Sequence, residues 1–132
     1  MNLDFQVTEK KTFRQLCDDV IKRSESKREQ LDILMESTRN LIKTTNDAIA
    51  LLPQVKALLD VGVKNDEQII KLASVLQKLQ STEMETNDGD DGILSSEERE
   101  EIMRNAKEEI KVIDKNVDSL EVKNSKPVSG SI

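Results

Sequence analysis

The sequence predicts an all-α protein with no sheet, and three observations predict it. Glycine and proline are scarce, four and two among 132 residues, so little interrupts a helical backbone. Apolar residues recur at steps of three, four and seven, the period of one helical face rather than of a strand. Aromatic residues are limited to Phe5 and Phe13, so the buried area must come from Leu, Ile and Val set in stripes. The architecture expected is a long N-terminal helix with shorter returning helices, arranged as a coiled coil or as a helical hairpin or bundle.

Residues 1–7 read as a flexible lead-in, and 8–84 as a helical region. Thr8 is a plausible N-cap. From there to Leu52 no glycine or proline occurs, which predicts a long helix over about 8–52. Alternating steps of four and three from Phe13 pick out Phe13, Cys17, Val20, Ser24, Lys27, Leu31, Leu34, Thr38, Leu41, Thr45, Ala48 and Leu52. That is a heptad seam with polar interruptions at Ser24, Lys27, Thr38 and Thr45, which weaken a coiled coil but can fix its register. Leu16 lies beside the seam. A bundle helix with a wider stripe fits the same residues. The segment KRSESKREQ, Lys22–Gln30, has no apolar residue. Without a turn residue it is expected to continue the helix, although Ser26 and Glu29 would suit a capping box.

Pro53 lacks an amide hydrogen and disfavours helical geometry at Leu52, so the long helix should kink or stop near there. A short helix over about 54–61 is expected next, closed by Gly62 as a C-cap. Asn65 with Gln68 then resembles a capping box for a helix over about 66–84, carrying Ile69, Leu72, Ala73, Leu76 and Leu79 on one face. Residues 85–95 read as an acidic flexible linker. The motif SSEE, Ser95–Glu98, is a strong capping box for a last helix over 96–121. That helix places Met103, Ala106, Ile110, Ile113, Val117 and Leu120 at unbroken steps of three and four. The polar tail 122–132 is expected to be disordered.

Net charge is −6. Glu83–Glu101 carries nine acids against the single base Arg99, a net of −8, and leaves the rest of the chain at +2. This pattern opposes a basic nucleic-acid footprint and a polybasic membrane anchor. The longest apolar run is AIALL, too short to insert into a membrane. Histidine is absent, which removes the commonest general base and a favoured zinc ligand. Cys17, the only cysteine, has no histidine to activate it and falls on the apolar seam, as a small buried hydrophobe would. No phosphate-cradling glycine loop and no aromatic stacking platform occur. An enzyme, a cofactor and a small-molecule ligand are not expected. One unpaired cysteine and no secretory leader are compatible with an intracellular, cytoplasmic setting.

One stretch invites a metal. NDGDDGILSSEE, Asn87–Glu98, has glycine at its sixth place and glutamate at its twelfth. Its second half resembles the loop of the EF-hand calcium-binding family. The resemblance implies ligands from Asn87, Asp91, the Ile93 carbonyl, Ser95 and Glu98. Gly89 departs from the pattern, because the third place needs a side-chain oxygen. Glu83, Thr86 and Arg99 are polar where EF-hand helices pack, and no second loop is present. An acidic joint followed by an N-cap accounts for the stretch without calcium.

The functional expectation is a non-enzymatic helical assembly protein: a coiled-coil scaffold or adaptor subunit that self-associates or joins a larger helical complex. Its stripes would be covered by a helical partner or a second copy, through Phe13, Leu16, Val20, Leu31, Leu34, Leu41 and Leu52, then Met103, Ile110, Ile113, Val117 and Leu120. In a parallel, in-register dimer the two Cys17 thiols would meet and crosslink. Three alternatives share these features: a phage or virion scaffolding or packaging factor, an acidic regulator of a basic partner, and a calcium-responsive protein.

Overall fold

The computed structural model describes residues 2–87 and 95–121. It contains three α-helices, α1 (Phe13–Leu41), α2 (Thr45–Asn87) and α3 (Ser96–Ser119), and each packs on the other two. No strand occurs among the described residues beyond an isolated bridge between Gln6 and Thr12. α1 and α3 run side by side in the same direction, with Arg23 pairing to Asp114 and Lys27 reaching the Leu120 carbonyl. α2 runs back between them. The fold is an all-α, up-down-up bundle.

Local capping chemistry sets where each helix begins. Thr12 caps α1: its hydroxyl accepts from the Gln15 amide at 3.2 Å, and the Gln15 side chain accepts from the Thr12 amide at 2.9 Å. The expected cap, Thr8, instead accepts from the Lys10 and Lys11 amides and closes a turn before the helix. The lead-in is correspondingly built into the fold. Leu3, Phe5 and Val7 pack against the core, and the Phe5 and Phe13 rings lie 5.0 Å apart. The Leu3 and Phe5 carbonyls accept from the Arg14 and Phe13 amides, two donors a helix start leaves without intrahelical partners.

The long N-terminal helix ends eleven residues earlier than the sequence suggests, at Leu41. The reason is a second capping box, TTND. The Thr44 hydroxyl accepts from the Asp47 amide at 3.1 Å, while the Asp47 carboxylate accepts from the amides of Thr44 and Lys43. This starts α2 at Thr45 without any glycine or proline. α2 then runs 43 residues, about 65 Å, through Pro53, Gly62 and Asn65, where two breaks were expected. Pro53 removes one hydrogen bond to the Ile49 carbonyl. It does so on an exposed face, where water can serve that carbonyl. Lys22–Gln30 is continuous helix within α1. α2 also extends to Asn87, three residues into the expected linker. α3 begins at the SSEE box, in which Ser95 and Glu98 cap each other at 3.1 and 2.9 Å. The rest of the linker and the tail from 122 lie outside the described residues.

The three helices are unequal in length, and this divides the molecule. The core joins Phe13, Leu16, Cys17 and Val20 of α1 to Leu72, Val75 and Leu79 of α2 and to Ala106, Ile110, Ile113 and Val117 of α3. All of it lies at the end where three helices run together. α3 stops level with Lys27. Beyond that level, residues 28–41 of α1 and 45–64 of α2 continue as a two-helix arm. A buried polar layer marks the junction: Asn65 donates to the Ser24 carbonyl at 3.1 Å, and Asn116 donates to Gln68 at 3.2 Å. Polar groups buried at one level favour a single register over slipped alternatives.

Candidate interaction surface

The structure separates the twelve sequence-predicted interaction residues into three groups. Phe13, Leu16, Val20, Leu31, Ile110, Ile113 and Val117 are buried inside the chain's own bundle. Leu31 is covered by α2 on the arm, and the other six cover one another, because α3 folds onto the face of α1 that was expected to seek another chain. Leu34, Met103 and Leu120 are half-buried. Only Leu41 and Leu52 are exposed to a partner.

A larger uncovered surface lies on α2. From Ile49, steps of three and four give Ile49, Leu52, Lys56, Leu59, Val63, Asp66 and Ile70. The five apolar members are 55–66% exposed. The same helix buries Asn65, Gln68, Leu72, Val75 and Leu79 toward α1 and α3. At 100° per residue the two sets point to opposite sides of the helix. α2 therefore carries two seams, one used internally and one facing solvent. The outer seam is invisible if the helix is broken at Pro53 or Gly62. The signal that would have revealed it is the TTND box, which starts one continuous helix ahead of both residues.

Beside the outer seam lies an open groove of about 400 Å³, formed where α1 and α2 run without α3. Leu31 and Met35 form one wall and Leu58, Leu59 and Val63 the other, with Gly62 between them. An ion pair between Arg28 and Asp66 closes one end. A second groove of about 470 Å³ continues toward the tip, lined by Met35, Arg39, Ile42 and Val55. The walls are aliphatic and the rims charged, a composition that suits a helix laid lengthwise better than a small polar ligand.

Two expected sites change character. Cys17 lies in the core, and burial pushes its thiol up to about 11, which suppresses the reactive thiolate. Its sulfur cannot meet that of a second copy without opening the bundle, so the crosslink expected for a parallel dimer has no route. Of the calcium-loop residues, Asp91 and Ile93 lie outside the described residues. Asn87 is the last residue of α2, and Ser95 and Glu98 are engaged as the cap of α3. Among the described residues no three metal-ligating side chains are gathered, and no helix is long and apolar enough to cross a membrane. The sequence matches no family model, and neither a curated protein nor a solved structure matches it.

Proposed function

We propose that the chain is a non-enzymatic helical assembly protein that docks a partner helix along its two-helix arm. One observation carries the reading: five large aliphatic side chains stand exposed at heptad spacing on a helix whose other side is already packed. Burying such a side chain completely is worth about 1.5–3 kcal/mol. Each here keeps more than half its surface in water, so covering the stripe recovers roughly 5 kcal/mol per chain. A contiguous apolar surface of this kind on a small chain marks a contact site. The three-helix end anchors the arm, and the arm presents four of the five side chains, with Ile70 continuing the stripe onto the three-helix end.

The alternative of an acidic regulator rests on the segment Glu83–Glu101, whose described exposed acids on α3 include Glu97, Glu98, Glu100 and Glu101. They are accounted for locally, since acids near a helix N-terminus complement its dipole. Scaffolding within a virus particle and in a cell would use the same stripe.

Site-specific photocrosslinking in the source cell tests the proposal. A photoreactive residue at Leu52 or Leu59 should give a discrete polypeptide adduct, and one at Glu108, on the exposed side of α3, should not. Absence of any adduct from every stripe position would remove the reading.

A further inference from the structure

We infer that the occupant of the outer α2 seam is the same seam of a second copy, laid antiparallel. The inference rests on the docking role proposed above and names its partner.

The argument begins with the order of residue types along the seam. From Leu52 to Ile70 it reads apolar, basic, apolar, apolar, acidic, apolar. Turned end for end about Val61, the order is its own complement. Leu52 meets Ile70 of the second copy, Lys56 meets Asp66, and Leu59 meets Val63. The two-fold axis repeats each pairing in reverse. Ile49 is left facing Ala73, the next exposed residue at seam spacing. A two-fold contact requires a surface complementary to itself, and this one is so at every layer.

Charge selects the direction. In a parallel, in-register pair Lys56 would face Lys56 and Asp66 would face Asp66. Like charges in a seam oppose that arrangement, whereas the antiparallel one converts both into opposite-charge layers. Asp66 remains able to take part: Arg28 of its own chain engages it, yet its side chain stays 53% exposed. The flanking acids Asp60 and Glu67 each have a lysine four residues on, Lys64 and Lys71, the helix order that best relieves them.

Length and geometry agree. The seam from Ile49 to Ile70 spans about 32 Å at 1.5 Å per residue, three heptads of contact. Its centre, Leu59 and Val63, is also one wall of the groove against Leu31 and Met35. The paired α2 helices would form the middle of a four-helix layer, with an α1 on each outer side. The chain's own C-terminal segment is a poorer match. Residues 122–132 offer Val122, Val128 and Ile132 against five aliphatic side chains, and Val122 and Val128 are not at heptad spacing.

Sedimentation equilibrium of the full chain, read as mass against concentration, tests this with charge reversals. The unaltered chain should reach the dimer mass at high micromolar concentration. Lys56→Glu alone, or Asp66→Lys alone, places like charges in two layers and should weaken self-association by about tenfold or more. Mixing the two single variants should restore pairing, because each opposing layer then joins unlike charges. The doubly reversed Lys56→Glu/Asp66→Lys chain should also recover. A parallel dimer keeps like charges facing one another in the unaltered chain and in both single variants, so the single reversals would not weaken it. Loss in each single variant with recovery in the double is specific to the antiparallel arrangement. Circular dichroism confirms that each variant remains helical. Self-association indifferent to these reversals would overturn the inference. So would a full chain monomeric at every concentration, or one that dimerises only when residues 122–132 are removed. If photocrosslinking at Leu59 gave an adduct with a different polypeptide and none at twice the chain mass, the docking role would stand and the self-pairing would fall.

Discussion

The two ends of this molecule use the same helices under different conditions. At one end α1 and α2 have a third helix to fold against. There Phe13, Val20, Ile110 and Val117 are wholly buried. At the other end the same two helices continue past the point where α3 stops, and Leu41, Ile49, Leu52, Leu59 and Val63 remain in water. The amino acids are of one kind at both ends. What differs is how many neighbours the connectivity supplies. An aliphatic stripe becomes a core where it faces neighbouring helices, and a candidate contact surface where, as on the outer side of α2, it faces none.

The difference should be largest in thiol reactivity. Cys17 is buried, with its thiol pushed up to about 11, so it should react with an alkylating reagent only when the body opens. A cysteine placed on the arm by Leu41→Cys, in a Cys17→Ala background, needs no opening. Native domains are stable by about 5–15 kcal/mol, so its rate should exceed that of Cys17 by at least about a thousandfold. Comparable rates would mean that the body opens as readily as the arm.

Truncation of side chains comes next. Ile110→Ala empties a fully buried site joining three helices and should cost about 2–5 kcal/mol in urea unfolding. Ile49→Ala removes a side chain already in water. It should change the unfolding of dilute chain by no more than about 0.5 kcal/mol. An equal cost at both positions would erase the distinction between body and arm.

A smaller effect is expected at Arg23, which fastens α3 to α1. Its guanidinium pairs with Asp114 and reaches Asp118 at 3.4 Å, with one third of its side chain exposed. Such partly screened, charge-assisted bonds are worth about 1–2 kcal/mol, and Arg23→Ala should lose that amount. The loss should appear as faster hydrogen exchange in α3 and the first half of α1. Exchange along 45–60 of α2 should be unchanged.

The helical class was legible because spacing and composition report it directly. Ser95 and Glu98 announced the last helix for the same reason, since a capping box is local chemistry. Thr44 and Asp47 carry equally local chemistry, yet the absence of glycine and proline masked the break they make. Pro53 misled in the opposite sense. A proline in a 43-residue helix removes one bond among many, and packing along the opposite side outweighs it. The division between internal and external stripes could not be read from spacing. Ile113 and Leu59 sit in similar patterns, and the side of the helix that meets its neighbours in the fold decides which is covered.

The smallest expected effect concerns Gly62, on the arm's inner side. It lies within the helix, where glycine costs about 1 kcal/mol relative to alanine. A methyl group built there would stand 3.7 Å from Leu31 Cδ1, an ordinary contact, so nothing must shift to accept it. Gly62→Ala should therefore stabilise the arm by about 0.5–1 kcal/mol. Because α3 does not reach this level, the gain should show as slower hydrogen exchange along 50–64 of α2. The body should barely respond. Gly62 is not a member of the outer seam, so self-association should be little altered. A gain shared equally by α3 would show that body and arm unfold as one unit. Destabilisation would show that the arm holds α1 and α2 closer than the groove at Gly62 implies.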